Sequence, residues 1–247
     1  MKCYIINMQN EPNKRHRITA QCQQYGINYE VINAVAGKEL SGEVLSTVTH
    51  DYPTCNLTPG EIGCALSHLH IYSKMVSENI PHALILEDDV VLNGKVLDVL
   101  DCITKTIKKS TPEIFLLNNP ESYHPKFKRP VTDTLLFYKM ARASQACAYV
   151  INKQSASRLL NFNLPIKFEA DRWMFFRDFC SIKIWCLDEG LIDSNDADKT
   201  KSSLELGRKK LKDIRESYMN KLQKKQKGYQ LKRMINLMLK KISYKSV

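Results

Sequence analysis

The feature that most constrains this chain is the run ALIL over residues 83–86, apolar at every position and followed at once by Glu87, Asp88 and Asp89. Successive side chains of a strand point to opposite faces. An unbroken apolar run therefore needs apolar layers on both sides, which is the environment of a strand inside a helix-flanked, largely parallel sheet. The three acids then stand at the carboxyl end of that strand. Like charges repel there, and open α/β sheets bind their ligands there. A divalent cation is one way to make three such carboxylates favourable, and a solvated strand end is another.

The flanking sequence supports the α/β order. Residues 3–6 (CYII) form a short apolar run ending at Asn7, residues 14–25 read as a helix with Asn13 as N-cap and Gly26 as its stop, and residues 27–32 read as a second strand. Strand, helix and strand in that order predict a βαβ unit. Thr58, Pro59 and Glu61 fit the N-cap, N1 and N3 positions of a capping box. Ile62, Ala65, Leu66, Leu69, Tyr72, Ser73 and Val76 follow as an amphipathic stripe. Glu61, Cys64 and His68 share the flank of that stripe, at its border with water or a cleft. Further helices are expected over residues 96–108 and 155–162, and strands over 114–117, 146–151 and 182–187. Residues 37–57 read as loop with some helix, and 120–135 as loop because of Pro120, Pro125 and Pro130.

Composition narrows the class. With 43% hydrophobic residues the chain can bury a core, and no apolar run approaches the roughly 20 residues of a membrane span. The amino terminus turns polar by Asn7, without a long apolar stretch, so a cytoplasmic location is expected. The eight cysteines form no CxxC pair and no zinc spacing, and read as reduced core thiols. Net charge is +11, but residues 208–247 hold 14 Lys/Arg against 2 Asp/Glu, leaving 23 basic and 24 acidic residues in 1–207. The expected organisation is a neutral domain over 1–207 and a basic helical tail over 208–247. Leu231, Met234, Ile235, Met238 and Ile242 fall on one face of that tail, with Lys232, Arg233, Lys240 and Lys241 elsewhere on the wheel. Such a helix suits an anionic membrane surface, on the inner face of the cytoplasmic membrane, or self-association. A nucleic-acid-binding protein would spread its basic stripe over the folded body.

Candidate chemistry centres on the strand ends. Alternation puts Glu87 and Asp89 on one side with Asp88 opposed, and two hard oxygen ligands suit Mn²⁺ or Mg²⁺. Asn7 ends the first strand. Arg15 and Arg17 could clamp a phosphate or face solvent. His68 and His70, two apart on a helix, make a poor metal pair. Asp171, in FEADRWM at residues 168–174, could be a general base beside aromatics that stack on a sugar, or a helix-start acid favoured by the macrodipole. A divalent-metal phosphohydrolase is an alternative, although it would want more Asp and His ligands.

The block LTPGEIGCALSHLHIYSKMVSENIPHALILEDDV, residues 57–90, resembles the signature block of glycosyltransferase family 25, which includes bacterial lipooligosaccharide galactosyltransferases and is related to collagen galactosyltransferase domains. YIINMQNEPNKRHRI near the start, AYVINKQSASRLL at 148–160 and PIKFEADRWM at 165–174 are similar to further segments of that family. The chain departs from it at Ser144-Gln-Ala-Cys147, where small residues are common. The resemblance implies a GT-A-like fold, one Rossmann-like, mostly parallel sheet flanked by helices. It also implies an inverting transferase that moves galactose from UDP-galactose to a lipooligosaccharide or lipopolysaccharide acceptor. In that reading Glu87 and Asp89 hold Mn²⁺ or Mg²⁺, Asp171 is the base, Asn7 and Arg15 serve the nucleotide, Glu61 and His68 line the pocket, and Asp88 faces the ribose or donor sugar. An acid within residues 191–198 would complete the metal shell.

Overall fold

The computed structural model of the protein describes residues 1–131, 135–194 and 205–246. The chain opens with β1 (Lys2–Asn7), α1 (Pro12–Gln24) and β2 (Tyr29–Asn33), and β1 and β2 pair in parallel. The expected βαβ unit is present. Its helix starts two residues early, with Pro12 at N1 and Glu11 as N-cap, and Asn13 is inside the helix, not its cap. Gly26 takes the left-handed conformation (φ 64°) that ends it. A short helix α2 (Gly42–Val48) precedes α3 (Pro59–Ser77), β3 (His82–Glu87), β4 (Val90–Leu92) and α4 (Val96–Thr106). Next come β5 (Glu113–Leu116), β6 (Ser122–Pro130), β7 (Leu136–Arg142), β8 (Ala148–Asn152), α5 (Lys153–Asn163) and α6 (Trp173–Phe179). The chain ends with β9 (Lys183–Leu187), β10 (Ile192–Ser194), α7 (Glu205–Lys225), α8 (Tyr229–Ile242) and β11 (Lys245–Ser246).

Among the described residues nine strands form one sheet, in the order β11-β6-β7-β9-β5-β8-β3-β1-β2, while β10 pairs only with β4. The α/β class is as expected, with a large central sheet flanked by helices. The sheet is mixed, however, and not mostly parallel. Pairings β1–β2, β1–β3 and β5–β9 are parallel, and the other five are antiparallel. Strand β8, inserted between β3 and β5, accounts for two of the antiparallel pairings, and the β7, β6 and β11 edge accounts for the other three; a strand buried on both faces reads the same in either direction. Residues 122–130 are also a strand, where prolines suggested a loop. Pro125 falls where the register shifts between His124 and Lys128, and Pro130 ends the strand, so neither removes a ladder hydrogen bond.

The core explains the opening run. Ala83 and Ile85 join the cluster beneath α3, α5 and α6 together with Tyr4, Ile6, Tyr149 and Trp173. Leu84 and Leu86 join the opposite cluster, with Ile18 of α1 and Val96, Val99 and Ile103 of α4. Each layer takes every second side chain, so β3 has no polar position between His82 and Glu87. The basic segment does not stand apart from the body. Arg215, Met219 and Leu222 of α7 are buried against it, and the main-chain carbonyl of Ser243, just past α8, accepts from His124.

Candidate active site

Helix α3 brings its side chains to the end of β3 because its start is fixed three times over. Thr58 and Glu61 form the expected reciprocal capping box. Pro59 stands at N1. Finally, the helix presses against the loop after β2 so closely that a Cβ on Gly63 would lie 2.4 Å from the Val35 carbonyl oxygen, and one on Gly37 would collide with Pro59. Ser67 adds a hydrogen bond from the Val35 amide, 2.8 Å. The next residue, His68, is 2% exposed and meets Glu87 through Nε2 at 3.2 Å. Its Nδ1 lies 2.7 Å from the Tyr149 hydroxyl, which lies 2.6 Å from that of Tyr72. Burial pushes both tyrosine hydroxyls up, far from ionisation at neutral pH.

The acidic triplet is divided. Glu87, still in the strand, turns to α3 with Ala83 and Ile85. Asp88 turns the other way and accepts a 2.6 Å hydrogen bond from the Asn7 side chain at the end of β1. Burial lifts the Asp88 carboxyl above its ordinary range, opposed by that hydrogen bond and by the nearby Lys14 ammonium. Strand β3 stops at Glu87, and residues 88–89 form the turn into β4. The alternation that grouped Glu87 with Asp89 therefore does not extend to Asp89. Both acids nevertheless act on one group: with burial, their charges push the Cys147 thiol up. The Glu87 amide donates to the Cys147 carbonyl, 2.7 Å.

That contact links the triplet to Asp171. The loop of residues 144–147 leads into β8 and carries Gln145 at φ 66°. The Gln145 amide donates to Asp171 Oδ2 at 3.3 Å, and its carbonyl accepts from the Trp173 indole at 2.9 Å. The Asn118 side chain holds the same loop through the Ser144 carbonyl, 3.0 Å. Glu87 and Asp171 are thus tied to opposite ends of one short loop. Asp171 is half-buried.

Other expected residues lie elsewhere. The Arg15 side chain is exposed on α1, and Lys14, which the sequence did not single out, is the cation that acts on Asp88. Glu61 and His68 are both buried and not at a water boundary. Glu61 closes the capping box and pairs with Arg215 of α7 at 2.5 Å. Arg215 also faces Glu169 at 3.2 Å, and Arg172 joins Glu169 and Glu216 at 2.8 and 3.0 Å. Burial alone would raise the Glu169 carboxyl, but the two arginines hold it below its ordinary range. The acid expected from residues 191–198 falls largely outside the described residues. The acidic triplet offers hard oxygens of the kind Mn²⁺ or Mg²⁺ takes, but Asp88 turns away from Glu87 to Asn7, and among the described residues the three carboxylates do not converge as one ligand group. Tyr72, Tyr149, Gln145 and Arg215 were missed because their roles depend on contacts between residues far apart in sequence.

The profile of glycosyltransferase family 25 (LPS biosynthesis protein) matches residues 1–174. A Haemophilus influenzae protein named as a glycosyltransferase is 25% identical over 197 residues, 76% of this chain and 68% of its own. A glycosyltransferase 25 family member of Aedes aegypti is 34% identical over 110 residues, 40% of this chain and 18% of its own length. A Mus musculus protein described as an inactive member 3 of the family is 30% identical over 95 residues, 35% of this chain and 16% of its own. The chain thus aligns with less than a fifth of the length of these two animal relatives. A profile match that runs from β1 through the start of α6, and so takes in the acidic triplet, the capped helix and Asp171, places the chain in glycosyltransferase family 25.

Proposed function

We propose that the protein is an inverting glycosyltransferase that moves a hexose, galactose from UDP-galactose, to a lipooligosaccharide or lipopolysaccharide acceptor. The observation that carries the reading is the acidic triplet at the end of β3, set inside the family's own block and joined through the 144–147 loop to a half-buried Asp171. Glu87 and Asp89 would hold Mn²⁺ or Mg²⁺, which when bound supplies Lewis-acid stabilisation of the charge on the leaving diphosphate. Asp88, fixed by Asn7, is oriented towards the donor's ribose or sugar. Lys14 adds positive charge on the diphosphate side. Asp171, oriented by the Gln145 amide, takes the proton of the acceptor hydroxyl as that oxygen attacks the anomeric carbon. Displacement from the face opposite the leaving group inverts the configuration.

Incubation with a panel of UDP-sugars, with and without Mn²⁺, tests this through UDP release. The expected result is metal-dependent release that is fastest with UDP-galactose, lost in Asp89→Asn and cut by at least about 100-fold in Asp171→Asn. No release from any UDP-sugar, or full activity of Asp89→Asn, refutes the assignment. An inactive wild type would align the chain with the family's inactive members.

We further propose that α8 holds the enzyme on an anionic membrane. Leu231, Met234 and Met238 are 60–61% exposed on it, and Ile235 and Ile242 are also exposed. Lys232, Arg233, Lys240 and Lys241 are interspersed with them. No helix among the described residues is long and apolar enough to cross a membrane. A surface-lying mode therefore suits α8, with each basic side chain contributing about 1 kcal/mol near an anionic surface.

A further inference from the structure

We propose that Cys64, His68 and Glu87 form a binding site for a borderline-soft divalent cation of the zinc class, distinct in its chemistry from the hard-oxygen site of the acidic triplet. Cys64 and His68 are four residues apart on α3 and so share a face, and Glu87 meets them from the end of β3. One donor atom from each, a thiol sulfur, an imidazole nitrogen and a carboxylate oxygen, lies within 4.8 Å of the other two. Tetrahedral zinc with bonds of about 2.0–2.3 Å needs donors about 3.4–3.6 Å apart. His68 Nε2 and Glu87 Oε1, at 3.2 Å, are already in range, and the thiol has only about 1 Å to close. Three protein ligands leave a fourth position for water.

The surroundings are those of a ligating histidine. The His68 ring is buried, and its second nitrogen meets the Tyr149 hydroxyl, backed by Tyr72. A partner on the far nitrogen sets the tautomer and the ring's aim. With Nδ1–H donating to Tyr149, Nε2 presents its lone pair towards Glu87 and Cys64. The proton released on binding is then that of the Cys64 thiol, as the S–H bond gives way to a metal–sulfur bond. Buried acceptors that face one another without a cation would otherwise depend on the opposite tautomer. The sequence concealed this set because Cys64 and Glu87 belong to different elements and no CxxC or HxxH spacing marks them.

Occupancy withdraws Glu87 from the triplet, so zinc and Mn²⁺ compete. That consequence rests on the function proposed above, but the site itself does not. The test uses the full chain without donor or acceptor. Co²⁺ titration should produce a thiolate-to-cobalt charge-transfer band, displaced by Zn²⁺, in the wild type and in Cys102→Ser. Cys102 is the other half-buried cysteine and lies against the Pro130 carbonyl. Cys64→Ser should abolish the band, while His68→Gln and Glu87→Gln weaken zinc by more than about 10-fold. Tyr149→Phe, a positioning change, should weaken it by about 10-fold. Circular dichroism checks that each variant is folded. No band in the wild type, or an unchanged band in folded Cys64→Ser, overturns the site whether or not the protein releases UDP.

Discussion

Asp88 is where charge and burial conflict most directly. It sits between two other acids, half-buried, and one side-chain hydrogen bond from Asn7 does not offset its lost hydration. Because its folded pKa is raised above the ordinary 3.8, the folded state keeps a proton that the unfolded chain has lost. The group's contribution to stability therefore falls as pH rises from about 4 through the raised value, and stays reduced above it. Asp88→Asn has no such step. Denaturant unfolding at a series of pH values should find the variant gaining on the wild type as pH rises through this window. A constant difference would mean that Asp88 is not desolvated. At this scale the triplet and Asn7 were legible as strand-end polar residues, and Asp171 as an acid just before a helix. Their partners were not. Nothing near residue 68 in sequence announces Tyr149, and Lys14 rather than Arg15 acts on Asp88 because only the backbone path decides which side of α1 faces the triplet.

Two helices carry the arrangement. The capping box of α3 was readable from Thr58-Pro-Gly-Glu61 alone, since its hydrogen bonds are local. Thr58→Ala should cost about 1 kcal/mol, measured by denaturant midpoint. Helix α7 is the opposite case: its sequence is basic and suggests solvent, yet Arg215 is 5% exposed between Glu61 and Glu169. Removing it leaves Glu61 buried without its cation, while Glu169 keeps Arg172. Arg215→Met should therefore cost about 3–5 kcal/mol. It should also lower turnover more than donor affinity, because Glu169 and Arg172 flank Asp171 on the segment that α7 clamps. A variant with unchanged stability would show that α7 does not dock. The depressed Glu169 pKa adds a sign that can be checked. Its contribution is present above the ordinary carboxylate value and is lost as pH falls through the lower folded one, so acid should loosen α7.

For the whole molecule, charge separates from fold. All of the basic excess lies in residues 208–247, and the structure divides that stretch into a docked α7 and an α8 with an exposed apolar face. Deleting the entire stretch would remove Arg215, Met219 and Leu222 from the body and confuse membrane release with unfolding. Replacing Leu231, Met234 and Met238 together by Gln avoids this. The triple variant should lose co-sedimentation with anionic vesicles while its thermal midpoint is unchanged. Wild-type binding should weaken with added salt as the charges are screened. Binding equal to wild type would leave α8 as a contact for another surface.

Sequence alone determined the local and periodic properties: the β1-α1-β2 unit, the capped α3, the doubly buried β3 with its acidic end, and a basic carboxyl-terminal region. Each follows from a hydrogen bond within one turn or from side-chain alternation along one element. Tertiary structure alone decided the direction of β8, the β6 strand hidden behind prolines, the docking of α7 through Arg215, and the meeting of Cys64, His68 and Glu87. A doubly buried strand has no sequence mark of direction. An ion pair or a ligand set between distant residues exists only once packing has fixed how two elements face each other.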